Sequence, residues 1–334
     1  MATTIRDVAQ RAGVSIATVS RVLRDSDGVT PRTRARVTTA VTEMQFTPSQ
    51  LGRQLAERRY AANGIVFPDL SGPYYAEVVL GYESVAAELG RSVLILSTHG
   101  RNAAPEMVEQ MAGRCDGLVI LGRTVSDEVV DRLAARGTPL VLLARPPAGR
   151  CDSVRAEGKQ SASRLAAHLI EEGARRITFL GDPEGSFDVA ERWTGVADTV
   201  ARAGGALTLE PTKGGEEAGA RMVTSLLAGP RGTSSLPDAL ICANDELALG
   251  VLAELAAQGV DVPGQVMVTG WDDVMAARYA GLTTVRQPMR ELGGTAARLL
   301  DEQISGSRTE PRHELLPTEL IVRTSTVGNV KGNQ

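Results

Sequence analysis

Cysteine and histidine are scarce in this chain, three of each among 334 residues, and neither set has the spacing that chemistry would need. Cys115, Cys151 and Cys242 are odd in number, far apart and without metal-ligand spacing. This argues against a disulfide framework and a zinc site and leaves them as buried small apolar residues. No Ser-His-Asp arrangement or HExxH helix can be assembled around His99, His168 and His313. No cofactor or metal is expected. Nor is there any run of eighteen or more apolar residues, and the opening MATTIRDVAQ lacks an apolar h-region, so a cytoplasmic protein is expected rather than a membrane or secreted one. Lysine is missing from the first 60 residues, which carry ten arginines against five acidic residues, a net of +5. The remainder, with 26 basic and 35 acidic side chains, carries −9. A basic head on an acidic body is the footprint of a polyanion-binding module joined to something else.

What the chain does have is length for two to three domains at about 100–200 residues each, and 43% hydrophobic residues with which to fill their cores. Its opening stretch, TIRDVAQRAGVSIATVSRVL over residues 4–23, reads as two short helices joined by one sharp turn. Ile5, Val8, Ala9 and Ala12 recur at the spacing of one apolar helix face. Thr4 and Asp7 form a capping-box start, Gly13 supplies the positive φ that a tight turn needs, and Ser15 caps the second helix. There Val19, Val22 and Leu23 face the first helix, leaving Ile16, Ala17, Ser20 and Arg21 outward. An ordinary helical hairpin would share this pattern; the charge balance favours a helix-turn-helix with a small exposed reading face. A third helix opens at Thr30-Pro31, runs through Val37, Ala40, Val41 and Met44, and is expected to stop at Pro48. In SQLGRQLAERR (49–59), Leu51 and Leu55 share one side among Arg53, Arg58 and Arg59. Too short to be helical alone in water, this segment is either a helix that forms on docking or a plain linker.

From Asn63 the texture changes. GIVFPDL, SVLILST, GLVILG and PLVLLA, then RITFLGD, ALTLEPT, ALICAND and VMVTGWD, are strand-like runs separated by amphipathic stretches. Continuous apolar strands alternating with helices predict an α/β fold of doubly wound parallel sheets in two lobes. Ligands of such sheets bind outside the carboxyl ends of the strands, where this chain places Asp69, Asp182, Asn244-Asp245 and Asp272-Asp273. A polar cleft between the lobes is expected.

By this point the motifs are specific. TIRDVAQRAGVSIATVSRVL, the segment ending FTPSQLGRQL, and the later CDGLVILG, RRITFLGD, PDALICANDELALG, VMVTGWDD and LTTVRQP occur in the order found in the lac-repressor (LacI) family of bacterial transcription regulators, which the chain resembles from about residue 4 to residue 325. The resemblance implies a helix-turn-helix head (1–48), a hinge helix and linker (49–60), and a periplasmic-binding-protein-like core (61–328). The core's first lobe would span about 61–157 plus 288–316, and its second about 158–287 plus 317–328. It implies a homodimer on a near-palindromic DNA operator, with contacts from Ser15, Ile16, Ala17, Thr18, Ser20, Arg21 and Arg53, and with Leu55 wedged into the minor groove. These residue types fit: Arg21 can make a bidentate contact to guanine, Ile16 and Ala17 offer apolar contact, and an apolar wedge beside arginines suits a kinked minor groove. In the core, Arg192, Asn244, Asp272 and Gln287 match positions that bond effector hydroxyls. Asp69 and Asp245 would line the same cleft, and Tyr74, Phe187 or Trp271 would stack on a sugar's apolar face. The Asn244-Asp245 pair could instead cap the helix ELALGVLAEL, and Arg192 could lie on the surface of its own helix. Gly52 and Ser49 replace the hinge's common Ala and Asn, and Glu157-Gly158 and Ala144 replace the core's common Asp-Asn and Asp.

The resulting expectation is a repressor of sugar-utilisation genes controlled by a sugar or sugar phosphate. The alternatives are a nucleoside or purine effector, or a corepressor mode. A transport-type sugar-binding protein would lack the basic head. An enzyme could set Asp245 and Asp272 across a cleft, but no acidic strand end pairs with a plausible general acid, and hydroxyl binding accounts for both.

Overall fold

The computed structural model describes residues 3–23, 27–46, 60–229, 232–308 and 310–327. The chain divides into two compact units, 1–60 and 61–334.

In the first unit, α1 (Ile5–Ala12), α2 (Ile16–Leu23) and α3 (Pro31–Glu43) enclose a small core of Val8, Ala9, Ala12, Val19, Val22, Val37, Ala40 and Phe46. The capping box forms as the sequence implies. The Thr4 amide donates to Asp7 Oδ2 at 2.8 Å while the Asp7 amide donates to Thr4 Oγ1. Those hydrogen bonds hold the Asp7 carboxyl below its ordinary range. Gly13 takes φ 60°, and Arg36 from α3 donates to the carbonyls of Ala12 and Gly13, satisfying acceptors that the end of α1 leaves open. Helix α3 begins with Thr30 as cap and Pro31 in its first turn. It ends at Glu43 rather than at Pro48: Met44 leaves the helical region and Gln45 takes φ 48°, which turns Phe46 into the core.

In the second unit the order is β1 (Ala62–Phe67), α4 (Pro73–Glu88), β2 (Ser92–Ser97), α5 (Ala104–Ala112), β3 (Gly117–Leu121), α6 (Asp127–Ala135), β4 (Leu140–Leu143) and β5 (Asp152–Ala156). Next come α7 (Lys159–Glu171), β6 (Arg176–Gly181), α8 (Phe187–Arg202), β7 (Ala206–Pro211), α9 (Glu216–Leu227), β8 (Ala239–Cys242), α10 (Asp245–Ala257), β9 (Met267–Thr269) and α11 (Met275–Tyr279). The chain finishes with β10 (Thr284–Arg286), α12 (Met289–Ser305), β11 (His313–Leu316) and β12 (Glu319–Ile321). One sheet has the order β11-β5-β4-β3-β1-β2, the other β7-β6-β8-β9, and every neighbouring pair in both is parallel. A bridge from Thr269 to Thr283 leads from the second sheet to the antiparallel pair β10-β12. The doubly wound expectation therefore holds for both lobes. The sequence reading did not single out β5 and β11, which are short and polar-flanked and complete the first sheet.

Strands β1, β3 and β4 are buried along their whole length, as parallel strands covered on both faces must be. Helix α12 returns to the first lobe and packs on α4 at backbone distance. A Cβ on Gly81 would collide with the Arg290 carbonyl, and one on Gly293 with that of Val78. Cys115, Cys151 and Cys242 are buried free thiols, and burial pushes the first two up to about 11. Among the described residues no helix is long and apolar enough to cross a membrane.

Candidate functional site

The head presents the outer face of α2. Ser15 stands before its first turn, its Oγ accepting from the Thr18 amide at 3.1 Å and lying 2.9 Å from Thr18 Oγ1. These hydroxyls fix the start of the helix and remain at the surface. Val19 and Val22 anchor the opposite face, so Ile16 (44% exposed), Ala17 and Arg21 project outward, with Thr18 and Ser20 half-buried beside them. Arg53 and Leu55 lie outside the described residues.

In the core, the carboxyl ends of the strands of both lobes open onto one cavity of about 370 Å³. The first lobe supplies Ser71, Tyr74, Tyr75, Arg123 and Ala144; the second supplies Ser186, Asp188, Arg192, Asn244, Glu246 and Asp272, with Gln287 following β10. Arg192 is 7% exposed. Its Nη1 donates to the Ala243 carbonyl at 2.6 Å, its guanidinium lies 4.5 Å from the centre of the Trp271 ring, and its Nε has no partner. Asp272, 4% exposed, takes φ 117° and accepts from Gln287 Nε2. Loss of hydration pushes its carboxyl well above the ordinary range, opposed by Arg192 and reinforced by Asp245 and Glu246. Burial also raises Glu246, whose Oε2 is enclosed without a partner, and lifts Asp188 to about 6 against the pull of Arg192. The Tyr74 hydroxyl is enclosed and unpartnered, and burial drives its pKa far up.

Of the expected effector residues, Tyr74, Arg192, Asn244, Asp272 and Gln287 meet at this cavity. Asn244 also caps α10, its Oδ1 accepting from the Leu247 amide at 2.9 Å, which leaves its amide nitrogen for a ligand. The other four expected residues do not line it. Asp245 is fully buried, one carboxylate oxygen accepting from the Val274 amide at 2.8 Å and the other from Thr284 Oγ1 at 2.6 Å, so it ties α10 to the loop before α11. Asp69 spends its carboxylate on the loop after β1, accepting from the Leu70 and Ser71 amides and Ser71 Oγ. Trp271 is buried beneath Arg192 with its ring in the second lobe's core. Phe187 lies on another surface of the seam between lobes, gripped by Arg123 at 3.9 Å and Arg145 at 5.9 Å. The substitution at Glu157-Gly158 has a local reason. Glu157 caps α7 by accepting from the Gln160 and Ser161 amides, and Gly158 sits against Glu191. Neither reaches the cavity, whereas Ala144 does, with φ 54°.

Sequence reasoning missed Tyr75, Asp188 and Glu246. Asp188 and Glu246 stand in the first turns of α8 and α10, a position where carboxylates are common for helix-dipole reasons and therefore attract no notice.

Two family models match the chain: "Bacterial regulatory proteins, lacI family" over residues 4–49 and "Periplasmic binding protein-like domain" over residues 166–326. The HTH-type transcriptional repressor CytR of Escherichia coli K12 is 30% identical over 333 residues, covering 97% of this chain and 96% of that protein. Among solved structures, the lac repressor dimer bound to operator and the anti-inducer ONPF is similar with a TM-score of 0.85 at 26% identity, covering 98% of this chain and all of that one. A complex of the transcriptional regulator CelR with cellobiose is similar with a TM-score of 0.70 at 29% identity, over 97% of this chain and 99% of that one. With head and core matched in the same order over nearly the whole length, the chain belongs to the lacI family of bacterial regulatory proteins.

Proposed function

We propose that this protein is a homodimeric repressor of sugar-utilisation genes, in which two heads read a near-palindromic operator and a small polyhydroxylated effector held between the lobes controls operator affinity. The observation that carries this reading is the junction, in one chain, of a basic head with an outward-facing α2 and a core cavity with convergent polar groups from both lobes. Ile16, Ala17 and Arg21 suit the major groove, with Ser15, Thr18 and Ser20 on the backbone-facing side; Arg53 and Leu55 are assigned to the minor groove on resemblance alone. In the cavity, Arg192, Asn244, Asp272 and Gln287 offer donors and acceptors for vicinal hydroxyls beside the Tyr74 ring. The CelR complex with cellobiose supports a sugar as ligand.

The second copy is supported by apolar surface. Leu94 and Ile95 are exposed on the edge strand β2 and Leu80 on α4, and α11 exposes Met275 (77%) and Tyr279 (81%). Exposed apolar side chains of this size suit a contact surface. The test is selection of binding sites from a random DNA pool with the full chain. Enrichment of inverted repeats bound by two chains is expected. Recovery of single half-sites bound by one chain, or no enrichment, would remove the reading.

A further inference from the structure

The cavity holds more carboxyl groups than hydroxyl recognition requires. Asp188, Glu246 and Asp272 all line it, and none of the three forms an ion pair with a described residue. Two arginines share the lining: Arg192 gives Nη1 to the Ala243 carbonyl and lies over the Trp271 face with its Nε still open, and Arg123 sits over the Phe187 ring. First-turn carboxylates are ordinarily explained by the positive end of the helix dipole. At exposed sites that interaction contributes only about 0.3–1 kcal/mol. Here burial raises both Asp188 and Glu246, so the dipole does not compensate for the water they have lost. Opposite them stands an aromatic wall. Tyr74 and Tyr75 pack edge to face at 5.3 Å, and Tyr75 is pushed up to about 12 by burial and then by the fields of Asp69, Asp272, Glu246 and Asp188. Carboxylates around aromatic rings, in a space with unpartnered buried oxygens at Glu246 Oε2 and Tyr74, are the combination that receives a cation.

We propose that the effector is a polyhydroxylated compound carrying a positive charge, of the amino-sugar class, whose ammonium is received by Glu246, Asp188 and the Tyr74-Tyr75 wall while Asp272, Asn244 and Gln287 take its hydroxyls. This rests on the polyol reading of the cleft and narrows it. A sugar phosphate would bring two negative charges beside three carboxyls, with only Arg123 and Arg192 to receive them, and is expected to bind more weakly than the amine.

The test is isothermal titration and thermal shift of the full chain against matched sets: glucose, glucosamine and glucose 6-phosphate, and the same three forms of galactose. Within a responding set the amine is expected to bind at least tenfold more tightly than the neutral sugar, and more tightly than the phosphate. In Glu246→Gln and in Asp188→Asn, each checked for folding by its melting transition, that preference should fall toward one. Equal or tighter binding of the neutral sugar or the phosphate overturns the proposal and leaves the polyol reading standing. A preference for the amine that survives both substitutions also overturns it. Silence from every member of both sets overturns the proposal and the polyol reading together.

Discussion

Replacing Asp245 separates a structural carboxylate from a ligand-binding one. Its two oxygens receive the Val274 amide and the Thr284 hydroxyl, and burial carries its pKa from an ordinary 3.8 to about 7, against the pull of those two bonds. Because the folded protein keeps this proton to a higher pH than the unfolded chain, stability falls as pH rises from about 4 and levels off above about 7. At 1.36 kcal/mol per tenfold change in proton affinity, the full displacement amounts to roughly 4 kcal/mol. Asp245→Asn cannot ionise. It can still accept from Val274 through its carbonyl oxygen and donate to Thr284 Oγ1, so its stability should be nearly flat over this range and should match or exceed wild type at pH 8. Asp245→Ala strands two buried donors at about 1–3 kcal/mol each. It should therefore be destabilised most near pH 4, where wild type carries little charge penalty, and less at pH 8. Urea unfolding followed by tryptophan fluorescence suits the measurement, since both tryptophans, Trp193 and Trp271, belong to the second lobe. Parallel pH profiles for wild type and Asp245→Asn would refute the assignment, as would loss of effector response in an Asp245→Asn protein of normal stability.

Arg21→Ala should cost about 1–3 kcal/mol on the selected operator and little on random DNA in a mobility-shift titration, and an equal loss on both would mean that Arg21 touches only phosphate. Gly13→Ala forces a Cβ into φ 60° and against Arg36 Nη2 at 2.7 Å. It should lower the melting temperature of the head and weaken operator binding, at a cost of about 1–2 kcal/mol; an unchanged head would show that the turn relaxes freely. Asp272→Asn keeps the side-chain shape but replaces one carboxyl oxygen with an amide nitrogen, and should shift the effector response to roughly tenfold higher concentration, consistent with about 0.5–1.5 kcal/mol for a hydrogen bond. A normal response would remove Asp272 from the site.

The parts of this molecule legible in the sequence are those set by neighbours in the chain. The Thr4-Asp7 capping box, the turn at Gly13, the Thr30-Pro31 start and the apolar strands all follow from spacings of a few residues. Asp245 and Asn244 show where local reading stops. Both stand at the end of β8, but the chain turns one toward Val274 and Thr284, some thirty to forty residues on, and leaves the other at the cavity rim. Nothing within the motif distinguishes them. Phe187 and Arg123 are a similar case, since their pairing depends on how the two lobes meet, as does the use of Asp188 and Glu246 as cavity walls.

That same meeting of lobes bears on control. The chain passes between lobes after β5, after β10 and after β11, and the seam is also crossed by Arg123 over Phe187 and by Arg155 paired with Glu191 at 2.6 Å. A ligand touching Tyr74 on one side and Asp272 and Asn244 on the other favours one lobe arrangement only by the difference in its contacts with the two. If that arrangement biases operator binding, linkage makes the effect reciprocal: the factor by which effector changes operator affinity is the factor by which operator changes effector affinity. A coupling of about 1–3 kcal/mol corresponds to roughly 5–150-fold. Titrating effector into the free protein and into the operator complex measures one side of the square, and titrating operator with and without effector measures the other. Equal factors with effector bound more weakly to the operator complex are the outcome expected of a repressor released by its ligand. Tighter effector binding to the complex would instead make the ligand a corepressor, and identical affinities would show that the cleft and the reading helix are not coupled.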